Sequence, residues 1–197
     1  MILLASASPT RRHLLQQAGI PFNSAVPKFD EEGCKAALKR AGADAAHLAE
    51  ALAEGKAASL AEIHHPDAIV IGADQLLECE GTCYDKPMDH PALRTQLLSL
   101  RGKTHRLITA AVLHVEGRIG WRHVDSAELT MRDFSDRFLE SYLDSQGERA
   151  LGSVGGYQLE GQGIQLFARI EGNYFTILGL PLLPLLEALR QAGALPS

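Results

Sequence analysis

The stretch Met1-Ile-Leu-Leu-Ala-Ser-Ala-Ser-Pro-Thr-Arg-Arg-His-Leu-Leu-Gln-Gln-Ala-Gly-Ile20 decides how this chain is read. Ile2 to Ala5 is an apolar run too short for a helix and suited to a buried strand. Ser6 and Ser8 place hydroxyls in the turn that follows. Ser8 precedes Pro9, so it can cap a helix whose first residue is Pro9, where a missing N–H costs nothing. That helix carries Leu14, Leu15 and Ala18 and stops at Gly19. A strand that runs into a helix N-terminus offers amides, hydroxyls and a positive dipole end to an anion. Arg11 and Arg12 add two permanent cations one turn further in. The pattern fits a phosphate cradle. It equally fits the opening strand–turn–helix of many α/β domains that bind nothing there, and the chemistry alone leaves both open.

At 197 residues, 46% hydrophobic and 22% charged, the chain is expected to be one compact domain of two lobes with a sizeable core. No apolar run is long enough for a membrane helix, and no basic leader precedes an apolar segment. A net charge of −5 argues against a nucleic-acid polymer as partner, yet allows one nucleotide held by a few local cations. Cys34, Cys79 and Cys83 have neither zinc-ribbon nor redox spacing, which predicts free thiols and a reducing cytoplasm. The His64-His65 pair reads as the exposed end of a helix and not as a zinc site.

Along the chain, Pro21 to Pro27 predicts a strand leading to Phe29-Asp30-Glu31-Glu32. These carboxylates suit either a solvated helix start or an acidic turn that ligates a hard divalent cation. Ala45 to Ile63 predicts the longest helix, with Leu48, Leu52, Ala53 and Leu60 inward. By composition its Lys56 is a solvated lysine. Gly55 costs that helix about 1 kcal/mol relative to Ala, for which a close approach of backbone or ligand is one reason. Ala68 to Ile71 is the best central-strand candidate and ends in Gly72-Ala73-Asp74-Gln75. Asp74 at the C-terminal edge of such a strand reads either as a cap or as a group that takes a proton from water or holds a metal.

A hairpin about Glu80-Gly81-Thr82 follows, then Asp85-Lys86-Pro87, where Pro87 holds Lys86 extended. Across that hairpin Lys86 and Asp74 can meet. Pro91 to Leu100 predicts a helix with Leu93, Leu97 and Leu98 inward. Thr104 to Val115 and Arg118 to Met131 predict two long antiparallel strands. Ser135 caps a helix over Asp136 to Ser145 with Phe138, Leu139 and Tyr142 inward. Gly152 to Gly163 holds five glycines in twelve residues, and reads as a phosphate cradle, a mobile lid or a turn-rich connection. Strands are expected over Ile164 to Ile170 and Tyr174 to Leu178, and a last helix from Gly179-Leu180-Pro181-Leu182 to about Gly193.

Six segments in order resemble the Maf family of nucleoside triphosphate pyrophosphatases. They are Leu-Ala-Ser-x-Ser-Pro-x-Arg-Arg-x-Leu-Leu at the start, Asp30-Glu31, Leu52-x-x-x-Lys56-Ala57, Gly72-Ala73-Asp74, Lys86-Pro87 with the Gly102-x-Thr104-His105 turn, and the late Tyr157-x-x-Glu160-Gly161-x-Gly163 with Gly179-Leu-Pro-Leu182. Two departures are Thr10, where the family has Arg, and Arg101, where it has Ser.

The resemblance implies an α/β fold like that of Maf and inosine triphosphatases, with a long twisted mixed sheet flanked by helices and a central cleft. It also implies hydrolysis of a nucleoside triphosphate to the monophosphate and pyrophosphate with Mg²⁺ or Mn²⁺, a housekeeping task on the nucleotide pool. By this resemblance Asp74, Lys56 and Lys86 are catalytic, and Glu31 and Asp74 hold the metal. Ser6, Ser8, Arg11 and Arg12 bind phosphates, while Gln75, Tyr157 and Glu160 read the base, Tyr157 by stacking. Asp74-Gln75 with Glu160-Gly161 leans toward the 7-methyl-GTP type over the dTTP/UTP type, although Gln158 replaces a Lys of the former. A cationic purine suits a carboxylate. The resemblance suggests a homodimer. A nucleotide-binding regulator of cell division without turnover, or a phosphatase releasing orthophosphate, are the alternative readings.

Overall fold

The computed structural model describes residues 1–62 and 68–196; the end of the predicted helix at Ile63, the His64-His65 pair and the Pro66 break lie outside them. In chain order the elements are β1 (Ile2–Ala5), α1 (Pro9–Gln17), β2 (Asn23–Ala25), α2 (Glu31–Arg40), α3 (Ala45–Ala61), β3 (Ile69–Cys79) and β4 (Thr82–Tyr84). Then come α4 (His90–Leu100), β5 (Thr104–Val115), β6 (Arg118–Met131), α5 (Asp136–Ala150), β7 (Phe167–Glu171), α6 (Tyr174–Ile177) and α7 (Leu182–Gln191). The strands hydrogen-bond in the order β2-β1-β3-β5-β6-β7, with β4 on β3, in one mixed seven-stranded sheet. The helices and this sheet make the chain an α/β protein. None of the described helices is long and apolar enough to cross a membrane.

The chain divides into two units. The first holds residues 1–75, 108–125 and 174–197, the second 76–107 and 126–173. In the first, β1 runs parallel to both β2 and β3, and the pairing with β3 ends at Ala5 opposite Gly72. Leu4, Leu15, Ile71, Leu185 and Leu189 form its core with the other apolar residues of β1, α1, β3, β5 and α7. Each such fully buried side chain contributes about 1.5–3 kcal/mol. Helix α3 lies close on β3, because a Cβ at Gly72 would stand 2.1 Å from the Ala53 carbonyl oxygen. No side chain fits there.

In the second unit β3 turns back through β4, antiparallel, with Leu77 opposite Tyr84 and Cys79 opposite Thr82. Cys79 and Cys83 therefore project to opposite faces of the hairpin, and none of the three cysteines is in a disulfide among the described residues. The glycine-rich segment is packed and not loose: Val154 to Tyr157 are buried. Gln96 donates to the Val154 carbonyl, Tyr142 Oη to that of Gly156 at 3.1 Å, and the Tyr157 hydroxyl meets His105 Nε2 at 2.7 Å. A Cβ at Gly155 would stand 2.1 Å from the Tyr157 ring, so this glycine makes room for that ring.

Several expected boundaries move. The Pro21–Pro27 strand shrinks to Asn23–Ala25, and α5 runs five residues past Ser145 to Ala150. On α4 the inward residues are Leu93, Gln96, Leu97 and Leu100, with Leu98 only half-buried. Residues Gln162–Leu166 form a 3₁₀ turn before β7, and the last predicted strand is the short helix α6. Apolar runs this short do not separate strand from helix by pattern alone.

His105 is 1% exposed with Nδ1 unpartnered, and burial pulls its pKa from 6.5 to about 4. Its native form is therefore neutral, and the unfolded chain binds the extra proton between those values. Stability from this group is full above pH 6.5 and is lost as pH falls toward 4, by up to about 3 kcal/mol. Urea unfolding from pH 7 to 5 should give a shallower loss for His105→Gln than for wild type. Parallel curves would show that His105 is not held neutral.

Candidate functional site

The first turn after β1 is built by its own hydroxyls. Ser6 Oγ accepts from the Ser8 amide at 3.1 Å, and Ser8 caps α1 by accepting from the Arg11 amide at 3.4 Å. Arg11 then turns inward and is 9% exposed. Its Nε donates to the Gly179 carbonyl at 2.7 Å, and its Nη1 to the Ala73 carbonyl at 2.8 Å and to Ser6 Oγ at 3.4 Å. Nη2 has no partner among the described residues. Burial lowers the Arg11 pKa, and the charges of Asp74 and Glu31 oppose that shift; guanidinium stays charged throughout. Arg12 is half-exposed and hooks Nη1 onto the Ala7 carbonyl at 2.9 Å.

The second cluster is ionic. Helix α2 starts at Glu31, with Asp30 capping it by accepting from the Gly33 amide at 2.9 Å. The Lys56 ammonium on α3 lies 2.9 Å from Glu31 Oε2 and 2.6 Å from Asp74 Oδ1. Lys56 and Asp74 are each 8% exposed, while the Glu31 side chain is 41% exposed. The solvated lysine expected from composition is thus a buried one.

The alternation of β3 explains the meeting. Gly72 and Asp74 share a face, and Gly72 lets the Ala53-to-Ala57 turn of α3 settle on that face. Lys56, on the same turn, is left beside Asp74. Glu31 arrives through Phe29, whose ring fills the space over Gly55: a Cβ there would stand 2.2 Å from it. The helical glycine noticed in the sequence thus admits a side chain, not backbone or ligand. Asp74 lies inside an eleven-residue strand, just past the point where the parallel pairing with β1 ends.

Gln75 faces the other way. Its Nε2 donates to Thr109 Oγ1 at 2.8 Å and to the Thr176 and Ile177 carbonyls at 2.9 and 3.1 Å. Both amide protons are therefore spent on the scaffold, and only Oε1 can face a ligand. In the second unit Lys86 is exposed after β4, and Glu160 is exposed ahead of the 3₁₀ turn. Tyr157 needs correction. It is 4% exposed, with its hydroxyl on His105 and its ring edge-on to Phe167 at 4.8 Å, so no face is open for a base to stack on.

The structure thus places Ser6, Ser8, Arg11, Arg12, Glu31, Lys56, Asp74 and Gln75 within the first unit. Sequence reasoning missed the Ala73 and Gly179 carbonyls that aim Arg11. Backbone acceptors leave no signal in residue type. Among the described residues no group of three or more His, Cys, Asp or Glu can hold a metal unaided. Two carboxylates within reach of one ammonium are nonetheless the donor set that Mg²⁺ uses when substrate phosphates and water complete its shell. Each carboxylate binds Lys56 through one oxygen and keeps a second. The residues fit such an ion.

Comparison with known proteins gives a consistent result. A family model described as Maf-like protein matches residues 1–192. A protein of Paramagnetospirillum magneticum named nucleoside triphosphate pyrophosphatase is 51% identical, covering 98% of this chain and 99% of its own length. One of Rhizobium meliloti named 7-methyl-GTP pyrophosphatase is 49% identical, over 100% of this chain and 98% of its own. Another named nucleoside triphosphate pyrophosphatase, from Granulibacter bethesdensis, is 51% identical over 98% of each.

Lys56→Met would leave two carboxylates facing each other without a cation. It should cost about 2–3 kcal/mol, at the low end for a broken buried pair because Glu31 is half-exposed. Added Mg²⁺ should raise the Tm of Lys56→Met more than that of wild type, since the ion can replace the ammonium. Equal shifts would show that Glu31 and Asp74 do not share a cation.

Proposed function

We infer that this chain, which belongs to the Maf-like protein family, is a nucleoside triphosphate pyrophosphatase that cleaves its substrate to the monophosphate and pyrophosphate. The observation that carries the assignment of its active residues is the Lys56 ammonium shared by Glu31 and Asp74, with the Arg11 guanidinium close enough to feel both charges. Attack on the α-phosphorus asks little covalent chemistry of the protein. It asks for positioned water and for cations placed where charge develops.

Asp74 accepts the proton of the attacking water, and Lys56 neutralises the charge that gathers on the phosphorus oxygens. Arg11 uses Nη2, and Arg12 its exposed edge, to hold phosphates at the start of α1, with Ser6 and Ser8 shaping the turn. A divalent ion such as Mg²⁺, held by Glu31 and Asp74, supplies Lewis-acid neutralisation of the triphosphate.

For the base, Gln75 offers Oε1 as an acceptor for a ring N–H, and 7-methyl-GTP is favoured over dTTP and UTP on the names of the relatives. The relatives carry both a general name and the 7-methyl-GTP name. Tyr157 has no part in base recognition here.

Incubation with GTP, 7-methyl-GTP, dTTP and UTP, assaying pyrophosphate and orthophosphate separately, tests this reading. Pyrophosphate with the monophosphate is expected, fastest for 7-methyl-GTP. Orthophosphate alone would make the protein a phosphatase, and nucleotide binding without turnover a regulator. Asp74→Asn should lower kcat at least about a hundredfold, in the range of a lost general base. A loss of only a few-fold would remove Asp74 from that role.

A further inference from the structure

Resting on that reading, we propose that Thr176, anchored by Asp125, is the positioning residue that sets the Arg11 guanidinium in the phosphate site and fixes the Gln75 amide beside it. Thr176 is fully buried. Its backbone carbonyl accepts from three donors: Gln75 Nε2 at 2.9 Å, Thr109 Oγ1 at 2.9 Å and the Gly179 amide at 3.0 Å. An oxygen with two lone pairs that holds three donors is a fixed point of the structure.

Its hydroxyl is pinned as well, donating to Asp125 Oδ2 on β6 at 2.6 Å. A bond to a carboxylate at that length is of the strong, charge-assisted kind. It is needed because α6 is a single four-residue turn, too short to hold its shape by its own hydrogen bonds.

Three residues later the same turn delivers the Gly179 carbonyl to Arg11 Nε at 2.7 Å. Gly179 has φ +93, and a Cβ there would come within 3.5 Å of Arg11 Nε and 3.7 Å of Gln75 Oε1. The turn is therefore moulded against both side chains at once. Arg11 bridges the Gly179 and Ala73 carbonyls, Asp74 follows Ala73, and Gln75 returns to Thr176 and Ile177. Release of the Thr176 hydroxyl would let this loop of contacts drift and carry the Arg11 fork with it.

Inorganic pyrophosphate is the probe, because it reports on phosphate contacts without a base or turnover. Binding is measured by calorimetry, with thermal unfolding recorded for each variant. Thr176→Val should weaken pyrophosphate about tenfold, the scale of a lost buried hydrogen bond to a charged group, and Thr176→Ser should restore it. In a double-mutant cycle, Arg11→Lys with Thr176→Val should bind no worse than Arg11→Lys alone, within about twofold. A purely structural role would instead give additive losses, and additive losses or wild-type affinity in Thr176→Val overturn the proposal. If Thr176→Val does not fold, Asp125→Asn, which keeps an acceptor without its charge, takes its place in the cycle with the same two outcomes. A wild-type protein that binds pyrophosphate but hydrolyses no nucleotide removes the functional reading and leaves the coupling to be read directly. One that fails to bind pyrophosphate overturns both.

Discussion

A lysine ammonium withdrawn from water must be matched by negative charge, and that requirement organises this molecule. Lys56 meets it with two carboxylates brought from different elements, Glu31 at the start of α2 and Asp74 on β3. Arg11 stands behind them, so the four formal charges cancel. The site is balanced before any ligand arrives. A triphosphate would upset that balance and has to bring or recruit its own cations.

The small residues around the cluster follow from the same need. Gly72 and the alanines of α3 allow the helix to sit close enough for Lys56 to reach a strand residue, and Gly55 allows Phe29 to bring Glu31 across. Such positions look permissive in isolation. Here each marks the side where another group must come near. The cost of a glycine in α3, about 1 kcal/mol against alanine, is offset by the packing of an aromatic ring.

Much of this was legible beforehand. The opening strand, the Ser8 cap, the start of α1, the central strand that leads into Asp74 and the paired strands β5 and β6 all follow from apolar pattern and capping chemistry. The candidate site residues came from resemblance, and eight of them lie in one unit. What escaped was of two kinds. Short segments such as Tyr174–Ile177 have no period long enough to distinguish a strand from a helical turn, and tertiary contacts decided them. Tyr157 looked available because tyrosine can stack on a base. Whether it is exposed depends on His105, Phe167 and Gly155, which are distant in sequence or featureless. The carbonyls that orient Arg11 were invisible for the same reason.

The central claim is that Glu31 and Asp74, now joined by Lys56, form the place where a cation meets the substrate's phosphates. The most direct test is anomalous diffraction from crystals grown with Mn²⁺ and an α,β-methylene nucleotide that resists cleavage. The account predicts a manganese peak within bonding distance of both carboxylates, with Arg11 Nη2 on a phosphate oxygen. A peak bound elsewhere, with Lys56 still bridging the two carboxylates beneath an occupied nucleotide site, would contradict it.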